Sequence, residues 1–71
     1  YKEQKKVRNR LAWIEKRFKA IENQIEKERA LTNDPDNNDN YEILQDALNN
    51  MNTLEKEYLE LMEEQESLLL N

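Results

Sequence analysis

Seventy-one residues with 38% charged side chains, no glycine, one proline, no cysteine and no histidine leave little material for an enzyme or a sheet. That composition excludes a glycine loop cradling phosphate, a thiol or imidazole nucleophile or base, a disulfide framework and the commonest metal ligands. A net charge of −5, and no apolar run near the ~20 residues that a membrane span needs, point instead to long water-facing helices and no membrane partner.

The first element is a helix over residues 2–31. Val7, Leu11, Ile14, Phe18, Ile21 and Ile25 are spaced 4-3-4-3-4, one apolar stripe of a 3.5-residue repeat, and no breaker interrupts it. Helical periodicity is under way at Tyr1, as expected of a piece excised from a longer protein. A loop follows over residues 32–40, Thr-Asn-Asp-Pro-Asp-Asn-Asn-Asp-Asn, turn formers throughout. Pro35 turns its predecessor away from helix, and Asp39 with Glu42 three residues on suggests an N-cap box. The second helix is expected over residues 40–69, where Leu44, Ala47, Met51, Leu54, Tyr58 and Leu61 are spaced 3-4-3-4-3. Each helix should measure about 45 Å at ~1.5 Å per residue.

The two ladders mirror each other about Asp36. Folding there brings Ile25 to Ala47, Ile21 to Met51, Phe18 to Leu54, Ile14 to Tyr58 and Leu11 to Leu61, each pair summing to 72. One register through five layers predicts an all-α fold, a two-helix antiparallel coiled-coil hairpin forming a single domain. With Leu11 at heptad position a, the g residues pair as Arg10 with Glu64, Arg17 with Glu57, Gln24 with Asn50 and Leu31 with Ile43. The pairs match in kind, which fixes register more than it adds stability. Glu28 facing Leu44 and Val7 facing Gln65 weaken the two ends of the seam. Residues 1–30 hold ten Lys/Arg against five Glu, and residues 31–71 one Lys against eleven acids, so closure sets opposite charges side by side. It also rescues the helix ends, where Lys2, Lys5, Lys6 and Glu63, Glu64, Glu66 oppose their own helix dipoles. The isolated hairpin is expected to be a monomer of marginal stability, steadied by whatever covers Leu48, Leu59, Met62 and Leu69.

Sites of chemistry are few. No catalytic or cofactor-binding residue is expected in this segment, since its carboxylates lie on solvated helix faces with nothing to raise their pKa. Asp34, Asp36 and Asn38 match the first calcium-loop positions, but Asp39 stands where glycine is required and Gln45 where the bidentate glutamate belongs, so no metal is expected. One surface stands apart: Lys2, Lys5, Lys6, Lys16, Lys19 and Lys27, with Trp13 among them, share the outward b, c and f positions of the first helix, and only Glu26 opposes them. A basic stripe carrying an aromatic suits a nucleic-acid backbone. The plainer reading is a solvated face that balances the acidic second helix, with Trp13 stacked on Arg10 or Arg17.

Tyr1-Lys2-Glu3-Gln4, the Ile14-Glu15, Ile21-Glu22 and Ile25-Glu26 rhythm, Asp34-Pro35 in the turn, Tyr41 beyond it and Leu54-Glu55 in the return helix carry a family resemblance. Over essentially its whole length the chain resembles the C-terminal coiled-coil domain of Uup-type ABC-F ATPases. It departs at Leu61-Met62-Glu63-Glu64, where the family's return helix often carries an aromatic followed by two glutamates. The resemblance implies a soluble, cytoplasmic parent with two ATP-binding cassettes, ATP bound outside this segment, and ribosomal RNA or DNA as the partner of the hairpin. Two other readings stay open: a structural or protein-interaction hairpin with no nucleic-acid role, and the helical arm of an unrelated machine such as a chaperone or repair protein.

Overall fold

A computed structural model describes residues 2–70, with the side chain of Lys2 outside that description. Two helices, α1 (Lys2–Asn33) and α2 (Tyr41–Leu70), run antiparallel and pack along their length, joined by a 3-10 turn at Pro35–Asn37. The rod measures 56 × 15 × 13 Å. Two helices share only one interface, so the dry seam is thin. Ile14 and Ile21 are completely buried, with Leu61 beside them, and Phe18, Ile25, Leu54, Tyr58 and Leu68 pack against that cluster half-covered. The buried side chains fall at heptad position d (Ile14, Ile21, Glu28, Ala47, Leu61), whereas the a residues Leu11, Phe18, Ile25, Leu44, Met51 and Tyr58 are half-buried.

The register expected from the ladders is the one observed. Arg10 forks onto Glu64, Nε to Oε2 at 2.5 Å and a terminal nitrogen to Oε1 at 2.8 Å. One heptad along in each helix, Arg17 forks onto Glu57 at 2.5 and 2.9 Å. Bidentate geometry makes these the stronger kind of surface pair. The hydrogen bonds hold the Glu57 and Glu64 carboxyls below the usual carboxylate range and push both guanidiniums up. Phe18 also reaches past Leu54 to the Tyr58 ring, centroids 4.6 Å apart and tilted by 37°, because an aromatic side chain extends into the next layer. Tyr58 donates its hydroxyl to Glu22 at 3.2 Å across the other flank, and burial, then that carboxylate, raises its pKa.

Three expectations need correction. The amide pair Gln24 with Asn50 does not form as drawn: both amides donate to Oε1 of Glu28, at 3.1 and 3.4 Å. An ionised carboxylate is the better acceptor, and Glu28 lies one turn from Gln24 on the same helix. Glu28 is thereby only 8% exposed at a seam position that looked like a defect. The second correction is the cap: Asn40, not Asp39, takes that role, its Oδ1 accepting from Ile43 N–H at 3.3 Å while its carbonyl accepts from Leu44. The Asp39–Glu42 box is therefore not the cap of α2; Asn40 N–H bonds back to the Asn37 carbonyl, which fixes the entry angle one residue later.

The third concerns length, since α1 continues two residues past 31 and α2 runs over Tyr41–Leu70 rather than 40–69. Pro35 constrains only Asp34, and polar side chains supply what the final turn of α1 lacks. Thr32 Oγ1 donates to the Arg29 carbonyl at 2.7 Å and Asn37 Nδ2 to the Leu31 carbonyl at 3.0 Å. Among the described residues no backbone adopts positive φ, so this glycine-free chain reverses through amide caps rather than a left-handed residue. Asp34 Oδ1 accepts from Asp36 N–H at 3.0 Å and closes the start of the 3-10 turn, which gives that carboxylate a structural use.

Candidate nucleic-acid interface

The heptad geometry that buries Ile14 and Ile21 turns the b, c and f positions of α1 away from α2. Lys5, Lys6, Lys16, Lys19 and Lys27 are accordingly all exposed, as is Trp13; Lys2 belongs to the same helix, its side chain outside the described residues. Lys5, Lys16 and Lys27 recur every eleven residues, close to three helical turns, so they fall on one line at intervals of about 16 Å. Lys19 lies one turn from Lys16, and Lys6 lies beyond Trp13 toward the helix start. Among the described residues the salt bridges are those of Arg10 and Arg17, so none of Lys5, Lys6, Lys16, Lys19 and Lys27 is paired with an acid of the hairpin.

Trp13 is anchored. Arg10 stacks its guanidinium 4.3 Å from the centre of the indole while its fork holds Glu64 on α2. The indole therefore has one face covered by a cation and stays 46% exposed, fixed in position by a side chain that is itself fixed. The ring bridges two jobs: it extends the flank pair, and it presents an aromatic surface within the lysine stripe.

Arg8, at heptad position e, lies outside the b, c and f stripe. It is exposed, and with Lys6, Glu3, Gln4, Val7, Leu11 and Leu68 it lines an open groove of about 800 Å³ at the open end of the hairpin. A criterion of helix angle, rather than of heptad letter, would have admitted it. The corresponding face of α2 is acidic: Glu42, Asp46, Glu60, Glu63 and Glu66 are all exposed. The two long sides of the rod thus carry opposite signs.

Among the described residues no three Asp, Glu, His or Cys side chains cluster as a metal site, and no helix is long and apolar enough to cross a membrane. No family model, curated protein or solved structure matches the chain.

Proposed function

We propose that this hairpin is a nucleic-acid-contacting appendage, gripping the backbone of ribosomal RNA or DNA through the outer face of α1. The observation that carries the reading is the line of exposed, un-neutralised lysines, Lys5, Lys16 and Lys27, flanked by Lys6, Lys19 and the anchored Trp13. Lysines on long flexible stems meet phosphates as point charges, and a straight helix surface offers no rigid fork for base edges. Binding is therefore sequence-independent and weak, on the order of micromolar or above at physiological salt. The acidic side of α2 repels the same polyanion and orients the rod with α1 inward.

In this reading, which the resemblance to Uup-type ABC-F proteins supports, the hairpin is the C-terminal domain of a cytoplasmic ATPase whose ATP binding and hydrolysis are supplied by the rest of the parent chain. Titrating labelled duplex DNA and ribosomal RNA fragments with the hairpin at rising salt tests the interface. A log–log slope of about −3 to −4 is expected for four neutralised phosphates. A salt-independent signal, or none, would reject the interface.

A further inference from the structure

Leu48, Leu59, Met62 and Leu69 play no part in the buried seam, yet they recur at helical spacing on one side of α2, beside the seam and round toward solvent. Leu59 and Leu69 are 60% and 67% exposed, and Met62 nearly half. Leu59, Met62, Leu69 and Leu70 line one shallow groove of about 400 Å³ together with Glu63 and Glu66. A stripe of large apolar side chains at intervals of three and seven residues is what a second helix lays its own apolar face against.

The charges around the groove specify the occupant. Glu63 and Glu66 line it as well, and among the described residues neither enters a salt bridge. The ion pairs of α2 are made by Glu57 and Glu64 on the opposite flank, and Lys56 is the one cation between residues 31 and 71. We infer that this face of α2 docks an amphipathic helix of a protein partner whose apolar stripe is flanked by lysine or arginine. A second copy of the hairpin does not satisfy the requirement. Its α2 would set acid against acid, and the outer face of its α1 carries lysine, asparagine and alanine with Trp13 as the one large apolar group. Nucleic acid and anionic lipid are repelled by the same carboxylates. The surface lies on the other helix from the lysine stripe, so it stands or falls separately from nucleic-acid binding.

The test uses the 71-residue chain, isotope-labelled for amide NMR, and three helical peptides of about 18 residues, long enough to span five turns. One has leucines at i, i+3, i+7 and i+10 with lysine flanks, the second has the same composition scrambled, and the third carries glutamate flanks. The patterned lysine peptide is expected to shift the amides of Leu59, Met62, Glu63, Glu66 and Leu69. It should bind about tenfold or more tightly than either control. Leu59→Glu with Leu69→Glu should remove that binding with the far-ultraviolet circular dichroism unchanged, since both side chains are already in water. Equal affinity for the scrambled peptide would overturn the inference by reducing it to charge attraction. So would shifts centred on Ile14 and Ile21, or a sedimentation dimer of the chain alone that the same double substitution abolishes.

Discussion

The two halves of the seam solve the same problem by different chemistry. Toward the open end, Ile14 and Leu61 form apolar layers fenced by Arg10–Glu64 and Arg17–Glu57, so charge stays on the rim and the centre stays dry. Toward the loop, Glu28 sits in the seam itself, 8% exposed, and is kept there by the amides of Gln24 and Asn50. A carboxylate can occupy a core position when its neighbours are donors, but it then depends on both of them. The open-end half draws on apolar burial alone, whereas the loop half adds the polar satisfaction of Glu28 to the burial of Ala47 and Ile25. Substitutions in the two should therefore respond in opposite directions to added hydrophobicity.

The largest effect is expected at Ile21, fully buried where the halves meet. Ile21→Ala should cost about 2–5 kcal/mol, enough to melt a two-helix hairpin near room temperature. Far-ultraviolet circular dichroism against temperature checks it, and a variant as stable as the parent would place the dry core elsewhere. Next in size is Glu28→Leu, which adds an apolar layer opposite Leu44 while Gln24 and Asn50, both exposed, turn to water. Its melting temperature should rise by several degrees, as replacement of a buried polar network by well-packed apolar groups often stabilises. A fall instead would mean that the amide–carboxylate network is the net stabiliser of the loop half.

The open-end half is sharpened by charge reversal. Arg17→Glu should lower the melting temperature by a few degrees by setting two carboxylates together, and adding Glu57→Arg should restore most of the loss. A double variant no better than the single would leave the fork without energetic weight. Smaller still is the acid response. Glu57 and Glu64 titrate below the ordinary carboxylate range because Arg17 and Arg10 hydrogen-bond their ionised forms. Their contribution is complete above the unfolded carboxylate value and is lost as pH falls through the lowered folded values. Between pH 7 and about 2 the parent should thus lose more stability than an Arg10→Gln, Arg17→Gln variant, the two curves converging at the acid end. Parallel curves would contradict the linkage.

Most of the fold could be read from the residues because a heptad ladder states both periodicity and partner. Arg10 with Glu64 and Arg17 with Glu57 were legible for that reason. Gln24 with Asn50 was misread because flank pairs were matched position by position, while the stronger acceptor, Glu28, stood one turn away on the seam. The cap of α2 was misplaced by one residue because the Asn-Asp run offers several residues able to cap, and only the Asn37 carbonyl contact selects Asn40. Exposure of the lysine stripe was legible, since the b, c and f positions of a two-helix rod point away from the partner helix. The anchoring of Trp13 by Arg10 was one of two options the sequence left open, and Arg8 was missed because a heptad letter is coarser than an angle.

In the function proposed here the seam holds the shape while the outer face of α1 contacts nucleic acid. Lys5, Lys6, Lys16 and Lys19 can all be changed to Glu without touching a seam position, so one variant separates the two roles. Binding of labelled duplex DNA and ribosomal RNA fragments should be measured beside the thermal melt of the same protein. Salt-sensitive binding is expected to disappear while helicity and melting temperature stay close to the parent's. Undiminished binding by the quadruple variant would contradict it.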